Sequence, residues 1–411
     1  MQFKDIIGQQ EVQHHLLDMV EHNRLSHALL FLGKEGSGAL SLAFAFAQYM
    51  VCEKAQNKQR PAEAGPSLFG FDEPSLATCL PDRQAANSLP PIDSCNKCPS
   101  CTKAAKFIHP DIHFSYPVIP KKSGDKPISA AYIAEWREFI KLYPYGNTFD
   151  WLQFIGAENK QGNITAEECN DIIHKLNLKS FESGYKILIM WMPEYLGKEG
   201  NKLLKLIEEP PANTLFILVA ENDEQILPTI LSRCQLIKIP SPSPDAIKEA
   251  LIQKAGATPE AATQIAGIAE GNYREALQLL QHTEEDWISL LSDWLKFTIR
   301  KMLPEQVKWI LDISELGREK QKQLLLYFNH LLEQSIRLKV MGDPLALPHK
   351  EKDFAQRLNK IASVSQQQVI IEELDKAIYY IERNANAKML FHALTIKLYH
   401  IIKDKALILT N

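Results

Sequence analysis

Apolar residues in the first part of the chain fall into short continuous runs, not an alternating pattern. Such runs are typical of strands that are buried on both faces of a parallel sheet. They predict four strands, at His27–Leu32, Tyr185–Met192, Thr214–Ala220 and Leu236–Ile239. Segments with helical composition or spacing lie between them, at Ala39–Tyr49, after Thr165 and at Asn201–Glu209. This alternation indicates an α/β fold with a mostly parallel sheet.

Helix signals divide the chain further. Thr165 and Glu168 have the spacing of a capping box, and Pro210 ends the helix that starts at Asn201. After the last predicted strand, the pattern is helical almost throughout. We therefore predict three domains: a core over residues 1–242, a small helical domain over 243–283 and an all-α domain over 284–411.

A glycine-rich loop joins the first strand to the first helix. Gly33 and Gly38 have the spacing of the phosphate-binding pattern G-x-x-x-x-G-K-[ST], with Gly36 between them. Ala39 stands where the pattern has lysine, and Leu40 stands where it has the Ser or Thr that binds Mg²⁺. The sequence thus predicts a vestigial phosphate loop at Gly33, Gly36 and Gly38, although an ordinary strand-to-helix turn would give the same glycines.

The end of the strand Tyr185–Met192 also lacks the acidic residue that ATP hydrolysis needs. ATPases of the phosphate-loop class place an Mg²⁺-binding Asp at this point. The chain has Trp191 and Met192 there, and neither side chain can bind a metal ion or activate water. We therefore expect neither ATP hydrolysis nor tight ATP binding by this chain. Weak binding of phosphate through the backbone N–H groups of the loop stays open.

The chain contains seven cysteines, and three of them form the compact motif Cys95-x-x-Cys98-x-x-Cys101. Structural zinc takes four tetrahedral ligands, so a fourth is needed. Cys52, at the end of the first predicted helix, is our choice, with Cys79 and His109 as alternatives. We favour structural zinc over an iron–sulfur cluster or reactive thiols. Catalytic zinc is disfavoured because no H-E-x-x-H motif accompanies the cysteines.

Composition narrows the class of protein. The chain has 411 residues, 45% of them hydrophobic, and a net charge of −4, so no whole-chain field attracts nucleic acid. Its first residues lack a signal-peptide pattern, and no apolar run approaches the ~18 residues of a membrane span. We expect a cytoplasmic protein without a membrane partner.

Several segments together resemble the clamp-loader branch of the AAA+ proteins, and most closely its delta-prime family in bacterial DNA polymerase III. The resemblance covers roughly residues 1–52, 95–118 and 163–280. The segments that carry it are Ile6–Gln10, Ser26–Phe31, the cysteine motif, His109–Asp111, Ser183–Lys186, Asn201–Pro211 and Ser232–Cys234. Residues 53–94 and about 121–162 do not follow the family pattern, and we interpret both as insertions without an assigned role.

The resemblance implies a more detailed fold and a role in DNA replication. It implies an AAA+ P-loop core with a zinc-binding module at about 52–101, a helical lid and an all-α C-terminal collar that joins other subunits. It further implies that Arg233 is an arginine finger, which acts in trans on ATP bound by a neighbouring subunit. Arg274 matches a lid arginine that reads nucleotide in active members. Here we expect it to hold the lid on the core.

The implied partners are gamma/tau-type ATPase subunits and a delta subunit in a hetero-oligomeric ring. The sliding clamp and primer-template DNA would be reached through that complex. The resemblance thus favours a non-hydrolysing, delta-prime-type subunit over an active AAA+ ATPase, because the loop chemistry is missing. A zinc-ribbon nucleic-acid binder built on the same fold is disfavoured by the acidic net charge.

Overall fold

The computed structural model describes residues 1–57, 93–121, 124, 126–157, 162–281, 287–341, 349–383 and 385–404. Most of the first predicted insertion, including Cys79, lies outside these residues. The chain divides into two compact units, residues 1–277 and 278–411. This division falls inside the predicted lid, and the three-domain arrangement stays a prediction.

The first unit is built on a five-stranded parallel sheet, which confirms the predicted α/β class. Its strands are β1 (Ala28–Gly33), β2 (Ile112–Ser115), β3 (Lys186–Trp191), β4 (Thr214–Ala220) and β5 (Gln235–Ile239). They lie in the order β2-β3-β4-β1-β5, and every neighbouring pair is parallel. The sequence pattern predicted four of them. It missed β2, an edge strand of four residues with two polar side chains.

The sheet is buried on both faces, as its continuous apolar runs require. Leu29 and Phe31 of β1 belong to the core on one face, together with α2 (Ala39–Met50). Ala28 and Leu30 belong to the core on the other face. Successive side chains of a strand point to opposite faces, so a strand between two layers must be apolar at every position.

Helices surround the sheet and continue beyond it. In addition to α2, the helices that begin in the first unit are α1 (Gln10–Glu21), α3 (Glu53–Asn57), α4 (Pro99–Ala105), α5 (Ile133–Leu142), α6 (Thr148–Phe154), α7 (Ala166–Asn177), α8 (Leu204–Glu208), α9 (Pro228–Leu231), α10 (Pro244–Ala255), α11 (Pro259–Ile268) and α12 (Tyr273–Gln281). Short 3-10 turns lie at Phe3–Asp5, Ser129–Tyr132, Pro193–Leu203 and Asp223–Gln225.

Two local predictions were wrong in part. The helix predicted from Asn201 begins only at Leu204, because 3-10 turns extend to Leu203; Gly197, with φ 50° and ψ −137°, interrupts these turns. The capping box at Thr165 is half formed. The Thr165 hydroxyl accepts the Glu168 N–H at 3.2 Å, but the buried Glu168 carboxylate turns inward to the N–H and hydroxyl of Ser129. A buried carboxylate needs such partners, and this need outweighs the cap.

The second insertion is part of the core of the first unit. Trp136 of α5 stacks on Tyr116 at 4.0 Å between ring centroids and lies 5.3 Å from Trp191 of β3. Trp151 of α6 meets Trp136 edge-on at 5.2 Å, and its indole N–H donates to the Pro117 carbonyl at 2.7 Å. Trp191, at the position of the missing metal-binding acid, therefore serves as an aromatic support for the insertion.

The second unit is helical in its described residues. Its helices are α13 (Trp287–Arg300), α14 (Leu303–Glu315), α15 (Arg318–Met341), α16 (His349–Ile361), α17 (Val364–Glu382) and α18 (Ala387–Lys403). Trp294 and Trp309 stack at 4.7 Å in its core, and the Trp294 N–H donates to Thr395 at 2.9 Å. Among the described residues of both units, no helix combines the length and apolar character needed to cross a membrane.

Asp111, next to β2, fixes the turn that leads into β3. Its carboxylate accepts the backbone N–H groups of Phe181, Glu182 and Ser183 at 2.6, 2.8 and 2.8 Å. Burial by itself would raise the pKa of Asp111, but these three donors hold it below its ordinary value. The ionised carboxylate therefore stabilises the folded state. This contribution is present above the unfolded pKa and is lost as the pH falls through the folded pKa.

We predict that Asp111→Asn lowers the free energy of unfolding of the full chain by at least about 1.5 kcal/mol at pH 7, because charge-assisted hydrogen bonds are lost. Urea titration at pH 7 measures the effect. The difference from wild type should shrink as the pH falls below about 4. Asp245→Asn, at an exposed residue in the first turn of α10, is the matched control. Equal urea midpoints for the two variants at pH 7 would contradict the assignment.

Candidate functional site

The glycine-rich loop has the backbone of a phosphate loop. It leaves β1 at Gly33 and enters α2 at Ala39, and Gly36 and Gly38 have φ of 74° and 83°, which favour glycine. The side-chain amide of Gln9, in the first segment of the family resemblance, donates to the Ser37 carbonyl at 3.0 Å. The loop thus presents the N-terminus of α2 at the carboxyl edge of the sheet, where ligands of α/β proteins bind.

At two positions of this loop and at the end of β3, the side chains differ from those that act on ATP in phosphate-loop ATPases. Ala39 and Leu40 are buried and apolar, so they offer neither a cation nor a metal ligand. Trp191 packs on the rings of Trp136 and Phe139, at 5.3 and 6.2 Å. At each of these positions, an apolar or aromatic side chain packs into the protein where an ATPase would have a catalytic group.

Part of the second insertion lies directly over the loop. A Cβ built on Gly38 would stand 2.8 Å from the Tyr145 ring, so this tyrosine is in van der Waals contact with the glycine backbone. The Ser41 hydroxyl of α2 donates to the Pro144 carbonyl at 2.6 Å, and the Ile7 N–H donates to the Tyr145 hydroxyl at 3.0 Å. The cavity that remains between loop, insertion and β3 has a free volume of about 30 Å³.

An ionic network joins the loop, the insertion and the helical region after β5. Arg274 of α12, only 5% exposed, grips the Asp150 carboxylate with Nε at 2.5 Å and Nη2 at 2.6 Å. Its Nη1 lies 3.0 Å from Glu35 of the loop. Glu35 also accepts from Asn147 at 3.1 Å and Asn272 at 3.3 Å. Arg274 therefore binds two carboxylates of this chain, in agreement with its expected structural role.

The predicted metal ligands come together in a second place. The sulfurs of Cys52, Cys95, Cys98 and Cys101 all lie within 4.8 Å of one another. Cys52 follows α2, whereas the other three lie at the start of α4, where Cys98 caps the helix. His109 is outside this cluster: its Nδ1 accepts the Asp111 N–H at 3.1 Å. Cys79 lies outside the described residues.

The four sulfurs fit a tetrahedral metal ion. Zn–S bonds of about 2.3 Å place tetrahedral sulfurs about 3.8 Å apart, and the Cys95 and Cys101 sulfurs are separated by 3.9 Å. Backbone N–H groups point at the sulfurs of Cys52, Cys95 and Cys98, at 3.3–3.4 Å. Such donors favour thiolates. Hydrogen bonding between the Cys52 and Cys101 sulfurs lowers the pKa of the Cys52 thiol and raises that of Cys101. Burial raises the pKa of Cys98, so a cation in the cluster would be needed to keep all four as thiolates.

Arg233 lies apart from both of these places, between α9 and β5. One third of its side chain is exposed, and its guanidinium pairs with the Glu208 carboxylate at the end of α8. Nη1 also donates to the Thr229 carbonyl at 2.7 Å. The structure thus places the predicted finger at the surface in a local ion pair, and no contact within the chain tests its proposed action in trans.

Asp150, Asn147 and Tyr145 are the site residues that sequence reasoning missed. They belong to the insertion whose role stayed unassigned. One signal was present: Asn147 and Asp150 form a capping box at the start of α6, which indicated an ordered helix. Nothing local indicated contact with Arg274, since 124 positions separate Arg274 from Asp150.

A family model described as DNA polymerase III, delta subunit, matches residues 8–67 and 68–243. The chain is 25% identical to DNA polymerase III subunit delta' of Bacillus subtilis over 269 residues, which are 66% of this chain and 58% of that protein. It is 30% identical to subunit delta' of Escherichia coli over 159 residues, 34% of this chain and 47% of that protein. Subunit tau of Bacillus subtilis is 25% identical over 300 residues, 72% of this chain and 39% of that protein.

The matched regions thus span about half the length of these relatives. Among solved structures, a DNA polymerase III gamma subunit-related protein from Thermotoga maritima has 14% identity and a TM-score of 0.35; the alignment covers 94% of this chain and 99% of that chain. A TM-score at this level does not establish a common fold. The family model, in contrast, matches more than half of the sequence, and so the chain belongs to the DNA polymerase III delta subunit family of clamp-loader proteins.

Proposed function

We propose that this chain is a non-hydrolysing, delta-prime-type subunit of a DNA polymerase III clamp loader, with an AAA+ core, a lid and a C-terminal collar. The observation that carries the proposal is a phosphate loop whose backbone is kept while its chemistry is absent. Ala39, Leu40 and Trp191 replace the lysine, the hydroxyl and the acid that phosphoryl transfer needs. By itself the chain is not an enzyme, and it contributes to the holoenzyme as a structural subunit.

The partners follow from the family. Relatives of this chain include proteins named subunit tau in Bacillus subtilis and subunit gamma in Buchnera aphidicola. Gamma/tau-type subunits would supply ATP hydrolysis, and a delta subunit would complete the hetero-oligomeric ring. The second, helical unit would form part of its collar. In this complex the chain would help to load the sliding clamp onto primed DNA.

Arg233 is the group through which the chain would act on its neighbour. Guanidinium is always charged, and its fork fits phosphate oxygens. Its partner in the free chain, Glu208, is 43% exposed, and surface ion pairs contribute only about 0–1 kcal/mol. Arg233 can therefore leave Glu208 at low cost when a γ-phosphate on the neighbouring subunit comes within reach. It would stabilise the charge that develops on that phosphate during hydrolysis.

We also propose that the four-cysteine cluster binds structural zinc. The ion would neutralise thiolate charge and join the end of α2 to the start of α4. Cys52, Cys95, Cys98 and Cys101 would be its four protein ligands. A site with four protein ligands leaves no open position for a substrate, so its contribution would be stability of the module.

We predict that Arg233→Ala lowers DNA- and clamp-stimulated ATP hydrolysis in a reconstituted clamp loader while the subunits still assemble. Arginine fingers contribute about 10³–10⁵ in rate in GTPases, so turnover at the adjoining site should be almost abolished. Arg24→Ala is the matched control, because Arg24 is also a surface arginine in an ion pair, with Asp18. Normal turnover with Arg233→Ala would exclude the finger. ATP turnover by this chain alone would favour an active ATPase instead.

We predict that the purified chain contains about one zinc ion per molecule and that Cys52→Ser loses it, because a structural site needs all four ligands. Metal analysis by mass spectrometry measures this. Cys234→Ser, outside the cluster, and Cys79→Ser should both keep the metal. Zinc retained by Cys52→Ser would exclude Cys52 as a ligand, and iron in place of zinc would identify an iron–sulfur cluster.

A further inference from the structure

We propose that residues 144–150 of the second insertion, here named the plug segment, are a built-in substitute for nucleotide. The segment fills the space over the phosphate loop and supplies the anion that holds Arg274. This arginine belongs to the helical region after β5, residues 244–277, here named the lid region. The position of this region on the core is then fixed by the chain itself, without nucleotide. This inference concerns the chain alone, and it stands whether or not Arg233 acts on a neighbouring subunit.

The plug segment leaves little room over the phosphate loop. Tyr145 lies against the backbone of Gly38, and Gly146 lines the same cavity. The free volume of about 30 Å³ is room for about two water molecules, too little for a nucleotide. The segment is anchored from two sides, by the Ser41 hydroxyl on the Pro144 carbonyl and by the Ile7 N–H on the Tyr145 hydroxyl. A nucleotide could enter only if these contacts broke.

The plug segment also provides negative charge of the kind that a nucleotide would bring. A guanidinium fork binds carboxylate and phosphate with the same paired geometry. Nε and Nη2 of Arg274 donate to the two carboxylate oxygens of Asp150, at 2.5 and 2.6 Å, and its Nη1 donates to Glu35. Two carboxylates therefore surround one buried cation, and a phosphate brought to this place would meet like charge. The site already contains its anion, and this anion is part of the polypeptide.

The lid region also contacts both the phosphate loop and the plug segment through residues next to Arg274. Asn272, at the start of α12, donates to Glu35 and packs so close to Gly36 that a Cβ there would stand 2.0 Å from its Oδ1. Tyr273 meets the ring of Tyr145 edge-on, with 4.9 Å between centroids. Lid region, phosphate loop and plug segment thus form one continuous contact. Breaking its ionic centre should loosen the lid region before it affects the sheet.

Hydrogen–deuterium exchange of the full chain tests this proposal. In Asp150→Ala, peptides from residues 244–277 should exchange about 10- to 100-fold faster, the loss expected for charge-assisted hydrogen bonds. Asp150→Asn keeps the shape and should cause a smaller acceleration in the same peptides. Glu138→Gln, at an exposed acid on α5 of the same insertion, should exchange like wild type. Peptides from β1 and β4 should stay protected in all variants.

A second arm uses millimolar ATP with Mg²⁺ as the probe. Exchange of residues 244–277 in wild type should be the same with and without the nucleotide, because its place is filled. Protection of these peptides by ATP would overturn the proposal, and so would equal exchange in Asp150→Ala and Glu138→Gln. If Asp150→Ala fails to fold, Asp150→Asn and the wild-type ATP arm still decide. These exchange results do not depend on whether Arg233 acts on a neighbouring subunit, because they are measured on this chain alone.

Discussion

The grip of Arg274 on Asp150 and Glu35 is the interaction on which the first unit depends most. It joins three parts of the chain that no sheet hydrogen bond connects: the lid region, the second insertion and the phosphate loop. With the guanidinium only 5% exposed, removal of either partner leaves buried charge without compensation, which is strongly destabilising. The network also fixes where the insertion can lie, and hence what fills the space beside Gly38.

The second insertion packs against the positions where the chain lacks the side chains of an ATPase. Trp191 packs against Trp136 at the position where phosphate-loop ATPases have a metal-binding acid. Tyr145 rests on Gly38, at the N-terminus of α2, where a bound phosphate would have to lie. Under the proposed function, this interior would hold the lid region in place while Arg233 and the helical second unit contact the neighbouring subunits. The cysteine cluster contributes at the far end of α2 and does not take part in this network.

Local signals in the sequence predicted much of this structure. The run Thr214–Ala220 matches β4 residue for residue, and the spacing of Gly33 and Gly38 predicted the loop, because burial and backbone conformation are decided by nearby residues. Cys52 was chosen as the partner of Cys95, Cys98 and Cys101 from its place at a helix end, and the four sulfurs do lie together. Prediction failed where residues distant in sequence compete for a group. The Glu168 carboxylate accepts from Ser129 instead of completing the capping box, and Asp150 pairs with Arg274, which is far away in the sequence. Such pairings depend on which surfaces packing brings together, and single-sequence periodicity contains no record of them.

If the plug segment occupies the nucleotide site, this chain should not bind ATP. Isothermal titration of the full chain with ATP and Mg²⁺ tests it most directly, with an active gamma/tau-type subunit as the positive control. We expect no saturable heat for this chain up to millimolar ATP, and saturable binding by the control. Tight binding that depends on Mg²⁺ would contradict it, since Ala39, Leu40 and Trp191 offer no metal ligand and Tyr145 would have to leave Gly38.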